Sequence, residues 1–117
     1  RNPWDRAISR YYWNIKKTGK AEDLDESLKN NEPNSNWQIY TIDDRVAVDY
    51  VGKFENLTED LNSVCQKLNI PFDGWMPQAK GNIRKDKRHY SEVLNERQAE
   101  YIRKKCAGEI ELFDYKF

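Results

Sequence analysis

This chain has little of what most directly announces a function. It holds one histidine, His89, so a metal site built from several histidines is excluded. Its two cysteines, Cys65 and Cys106, show no metal-like spacing. They read as two buried, reduced thiols, with a disulfide as the alternative. Lys and Arg total 20, as do Asp and Glu, so no net charge draws the chain toward nucleic acid or a membrane. It has no apolar run long enough to cross a bilayer, and no signal-peptide pattern.

What remains is a wet surface and a few large anchors. Charged residues make up 34% of the 117 positions and aromatic residues 13%. A chain of this length forms at most one small domain with a modest core.

The most informative stretch is the first, R-N-P-W-D-R-A-I-S-R-Y-Y-W. Asn2 is a good N-cap and Pro3 suits the first helical position. Asp5 stands three residues after Asn2, where a carboxylate can reach back to the cap and complement the helix dipole. Trp4, Ala7, Ile8, Tyr11, Tyr12 and Ile15 recur at helical spacing and form an apolar face. The helix is expected from Pro3 to about Lys17, with Gly19 as its stop. Arg1 and Ser9 could share a phosphate along it. Ser9 lies roughly 10 Å up the axis from the cap, within reach of a folded arginine whose fork suits phosphate. Spacing alone does not separate that arrangement from an ordinary capped helix.

Further on, Ala21 to Asn30 suits a short helix, and residues 30–36 a loop. Trp37–Ile42 and Val46–Phe54 alternate like two strands, with Asp43-Asp44-Arg45 as the hairpin turn. Asn56 or Thr58 caps a helix running to about Asn69, with Leu57, Leu61, Val64, Cys65 and Leu68 as its apolar stripe. Glu55, just before that helix, reads as a structural carboxylate near free N–H groups. Pro71 to Lys87 is a long loop anchored by Trp75, Met76 and Pro77, and it becomes basic through Lys80, Arg84, Lys85, Lys87 and Arg88. Asn95, with Gln98 three residues on, opens the last long helix, which Gly108 closes. The aromatic tail, Ile110 to Phe117, should dock as a short helix and an extended end.

Three stretches together resemble the sulfotransferases that use 3′-phosphoadenosine-5′-phosphosulfate, in particular their carbohydrate branch. Arg1, Pro3 and Ser9 match the family's 3′-phosphate-binding motif. Val51-Gly52-Lys53-Phe54-Glu55-Asn56-Leu57-Thr58-Glu59-Asp60-Leu61 resembles its V-G-(aromatic)-E-N-L-x-x-D segment. His89-Tyr90 and Ile110 to Phe117 resemble its tail, H-Y … D-I-E-L-F-G-Y. The matches keep their order over nearly the whole chain.

The resemblance implies the C-terminal part of an α/β P-loop-like sulfotransferase fold, of which this chain would be mainly α with a short β-hairpin. It implies 3′-phosphoadenosine-5′-phosphosulfate as cosubstrate, no metal, and a carbohydrate hydroxyl as acceptor. Arg1 and Ser9 would hold the 3′-phosphate, with Lys80, Arg84 and Lys85 as a basic lid. Residues 20–40 would border the acceptor. The catalytic residues and the phosphosulfate loop are expected upstream of Arg1. A fragment inactive alone is therefore expected, with a homodimer as one way to cover the surface it would expose. The alternatives are a small helical anion- or nucleic-acid-binding module using residues 80–89, which zero net charge disfavours, and a folded remnant with only an interaction role.

Overall fold

A computed structural model describes residues 1–33, 35–77 and 81–117. Helix α1 spans Pro3–Thr18. The Asn2 side chain accepts from the N–H groups of Trp4 and Asp5, and Gly19 ends the helix at φ +69, its N–H bonded to the Ile15 carbonyl. That left-handed conformation carries little cost for glycine. Asp5 does not reach back to the cap. Its carboxylate goes to arginines instead, and Glu55 takes the backbone N–H of Asn2 at 2.6 Å.

Helix α2 (Leu24–Asn30) follows, capped by Asp23. The expected first strand begins as a single helical turn, α3 (Trp37–Tyr40), because the Ser35 hydroxyl accepts from the Trp37 N–H and starts it. The hairpin shrinks to β1 (Thr41–Ile42) and β2 (Arg45–Val46), antiparallel, with Thr41 opposite Val46. Asp43 and Asp44 both take positive φ, as a tight hairpin turn demands. With no further strand among the described residues to pair on, residues 47–53 stay irregular. A 3₁₀ turn (Phe54–Asn56) leads into α4 (Leu57–Lys67) without a side-chain cap. The apolar stripe of α4 forms, yet no residue of α4 is fully buried.

Residues 71–77 are irregular, and Trp75 is 71% exposed rather than an anchor. A one-turn helix, α5 (Tyr90–Val93), is capped by His89, whose ring also lies 3.9 Å from that of Tyr90. Helix α6 (Glu96–Lys105) carries the expected capping box between Asn95 and Gln98. Helix α7 (Ala107–Phe113) comes directly after it, and Gly108 lies inside α7 rather than closing α6. The indole of Trp37 packs so close that a Cβ at Gly108 would stand 2.8 Å from it.

The core lies between α1 and α6. Trp4, Ala7 and Ile8 meet Leu94, Ala99, Ile102 and Cys106, with Leu28 from α2. The Trp4 indole N–H donates to the Ala99 carbonyl at 2.9 Å, and Tyr90 and Phe117 pack on its ring. Both cysteines are free; Cys106 is buried and Cys65 half-buried. Burial pushes the Cys106 thiol up, so it stays protonated. No helix among the described residues is long and apolar enough to cross a membrane.

Candidate functional site

Helix α1 has two working faces. Residues 4, 7 and 8 enter the core, whereas Arg6, Ser9, Arg10 and Trp13 recur at i, i+3, i+4 and i+7 along the opposite side. This second stripe floors an open cleft of about 700 Å³. Arg1, Phe54, Gly81, Ile83, Arg84 and Lys87 complete its lining.

Three of the five residues expected to bind the nucleotide therefore meet in one place: Arg1, Ser9 and Arg84. Lys85 is exposed and does not line the cleft. Lys80 lies outside the described residues.

Asp5 brings the two arginines together. Arg1 binds its Oδ2 through Nε at 2.7 Å and Nη2 at 2.6 Å, while Arg84 Nη1 takes Oδ1. Arg84 also donates to the carbonyls of Asp86 and Arg88, each at 2.6 Å, which winds residues 84–88 around its guanidinium. The basic segment is thus a folded turn with one arginine at its centre, and only 14% of that side chain is exposed. Arg1 also lies over the Phe54 ring, 4.6 Å from its centroid. The two guanidiniums are held on opposite oxygens of one carboxylate, and Ser9 lines the same cleft with a neutral hydroxyl.

Arg6 is tied down from behind. It makes a two-pronged pair with the buried Glu109, at 3.1 and 2.7 Å. Glu109 also accepts from the Asn36 N–H at 3.0 Å and from the Tyr40 hydroxyl at 3.4 Å. Burial, with Glu109 alongside, pushes the Tyr40 hydroxyl up to about 12. Burial opposes the charge on Arg6, but the bonds to Glu109 more than offset it and keep the arginine protonated.

Glu55 joins three separate parts of the chain. Besides the Asn2 N–H, it accepts from the Tyr115 hydroxyl at 3.0 Å. Burial works against its charge, yet the N–H groups of Asn2 and of Glu55 itself, with the Tyr115 hydroxyl, hold the carboxyl below its ordinary 4.5. Lys53 supports the same corner by donating to the Phe113 carbonyl at the end of α7.

Part of the zone expected to face the acceptor, Glu32, Ser35, Trp37 and Gln38, lines a second open cleft with Lys104 and Lys105. Arg10 reaches the Glu32 carbonyl only at 3.4 Å, so the two clefts are neighbours. A smaller apolar hollow near α6 holds Asp25, Arg97 and Gln98, whose polar groups satisfy one another. No group of His, Cys, Asp and Glu side chains among the described residues is arranged to hold a metal.

Sequence reasoning missed Arg6, Arg10 and Trp13, and named Phe54 and Lys87 only within the family-like segment and the basic run. The 6-9-10-13 spacing was a usable signal, being the mirror of the apolar stripe on the same helix. The place of Phe54 and Lys87 in the cleft depends on contacts across the whole chain.

No family model matches the chain, and no solved structure does. An uncharacterized protein of Archaeoglobus fulgidus is 37% identical over 78 residues, covering 61% of this chain and 64% of that protein. The chain thus matches a little under two thirds of that relative's length.

Proposed function

We propose that this chain is the part of a 3′-phosphoadenosine-5′-phosphosulfate-dependent sulfotransferase that holds the nucleotide's 3′-phosphate. Its wider architecture would be the α/β P-loop-like fold and its acceptor a carbohydrate hydroxyl. One observation carries this reading: Arg1, Ser9 and Arg84, chosen from distant stretches, line one cationic cleft. Arg1 and Arg84 would clamp the phosphate oxygens and Ser9 would donate to one of them.

Two further observations support it. The three stretches that resemble the family meet at Glu55, which binds Asn2 of the first and Tyr115 of the tail. Asp114 takes a left-handed φ of +52 where the family's tail pattern has glycine.

In sulfuryl transfer the acceptor hydroxyl loses its proton to a base and its oxygen bonds to sulfur. The bond from sulfur to the 5′-phosphate oxygen breaks, and 3′-phosphoadenosine-5′-phosphate leaves. No residue of this chain is assigned to that step. The work of Arg1, Ser9 and Arg84 is to fix the register of the nucleotide so that its far end meets the acceptor.

Calorimetric titration tests the reading. The chain should bind 3′-phosphoadenosine-5′-phosphate more tightly than adenosine 5′-phosphate, which lacks the 3′ group. Arg1→Ala and Arg84→Ala should each weaken binding about tenfold or more, the loss of a charge-assisted hydrogen bond. Ser9→Ala should cost roughly 0.5–1.5 kcal/mol, and Lys85→Ala almost nothing. Equal affinity for the two nucleotides would overturn the proposal. Steeply salt-dependent binding of short DNA, with no preference for the nucleotide, would favour the nucleic-acid module instead.

A further inference from the structure

Asp5 is an odd neighbour for an anion site. Its carboxylate binds two of the cations that line the α1 cleft, Arg1 and Arg84. A negative charge there repels an incoming phosphate. On charge alone the cleft would hold a phosphate better without it. Capping does not call for it either, because Asn2 already accepts from the first free N–H groups of α1. A carboxylate in the first turn complements the helix dipole, but that role requires no arginine partner.

The bonds around Asp5 show what else it does. Arg84 donates to the Asp86 and Arg88 carbonyls, Lys87 to the Gly81 carbonyl, and Arg88 to the Asp86 carboxylate. All of these stay inside residues 81–88, so they fold the basic turn without placing it. The bond from Arg84 Nη1 to Asp5 Oδ1 ties the turn to α1. On its other oxygen Asp5 takes Nε and Nη2 of Arg1, whose guanidinium also lies over the Phe54 ring. A long arginine side chain loses considerable rotamer freedom when a ligand orders it. Held beforehand, it brings less of that cost to binding.

We propose that Asp5 is a positioning residue of the cleft. It sets Arg1 and the 81–88 turn in fixed register on α1, so that both arginines meet the nucleotide's phosphate already ordered. This rests on the proposed sulfotransferase reading and deepens it: preorganisation of two arginines outweighs the repulsion of one carboxylate. The two effects have opposite signs when the charge is removed.

Asp5→Asn keeps the shape of the side chain and removes its charge. Titrated with 3′-phosphoadenosine-5′-phosphate, this variant should bind about fivefold or more weakly than the parent. Its preference over adenosine 5′-phosphate should fall by a similar factor. Asp5→Glu keeps the charge on a stem one methylene longer and should recover part of both. In an Arg84→Ala background Asp5→Asn should cost less than in the parent, because one of its two arginines is already gone. Brief trypsin digestion read by mass spectrometry tests the tie without any nucleotide. Cuts after Arg84, Lys85, Lys87 and Arg88 should come about fivefold faster in Asp5→Asn, while cuts elsewhere keep their rate.

Tighter nucleotide binding by Asp5→Asn overturns the inference, because repulsion would then outweigh positioning. A lower urea midpoint with unchanged nucleotide preference and unchanged cutting overturns it too, leaving Asp5 a role in the helix dipole alone. Faster cutting within residues 84–88, in a parent that binds the two nucleotides equally, overturns the sulfotransferase reading while the tie to the turn stands. Equal binding by the parent with no change in cutting overturns both.

Discussion

Glu109 shows how a single residue ties the cleft to the core. It is almost wholly buried, yet it carries a charge, and four donors meet it: two from Arg6, the Asn36 N–H and the Tyr40 hydroxyl. Removing one partner of a buried pair leaves the other charge without compensation. Glu109→Ala should therefore destabilise the chain by about 3 kcal/mol, the lower end of the usual range because Arg6 keeps some contact with water. Urea unfolding would measure it. Arg6→Met should cost at least as much, because it strands the more deeply buried of the two charges with only Tyr40 and Asn36 left to donate to it. A Glu109→Ala variant as stable as the parent would show that the pair holds nothing together.

At the scale of elements, Glu55 works as a capping carboxylate supplied from far along the chain. It joins the start of α1, the 3₁₀ turn and the tail after α7. Its folded pKa lies below the ordinary value. Its contribution to stability is therefore fully present above about pH 4.5 and is lost as the pH falls through the lower, folded value. The stability of the parent chain should drop across that acid window, and Glu55→Gln should flatten the drop. Identical acid limbs for the two, followed by circular dichroism, would show that the junction is not held by charge. The element ends that could be read in advance were those with local causes: Asn2 and Pro3 at one end of α1, Gly19 at the other, and the box at Asn95 and Gln98. The hairpin was legible as a turn but not in its length, because strand length depends on a partner strand. Ser35 instead turned Trp37 into the start of a helix. In the site, helical spacing allowed Arg1 and Ser9 to share a ligand but only the resemblance singled them out, and Arg84, expected in the basic lid, is joined to Arg1 through Asp5, 79 residues away. The Arg6–Glu109 pair, 103 residues apart, left no trace in any local pattern.

At the scale of the whole molecule the chain is more open than its length predicts. Its radius of gyration is 16.0 Å, against about 13 Å for a compact domain of this size. Its accessible surface is 8608 Å², against about 6,700 Å² expected for its mass. Much of the exposed apolar surface lies between residues 39 and 70: Ile39, Ile42, Val46, Val48, Tyr50, Phe54, Leu57, Leu68 and Ile70 are all exposed, and no residue of α4 is fully buried. An apolar stretch of that extent favours association, because water gains from covering it. Sedimentation should show concentration-dependent self-association in the micromolar range or above, and an apolar-surface dye should fluoresce with the native chain. Ile42→Lys with Leu68→Lys should suppress both without lowering the unfolding midpoint, since neither side chain touches the buried cluster around Trp4 and Ile102. A parent chain that stays monomeric and binds no dye would show that the exposed stripe is not adhesive. Nucleotide affinity should be the same in the lysine variant, because Ile42 and Leu68 stand apart from the lining of the cleft on α1.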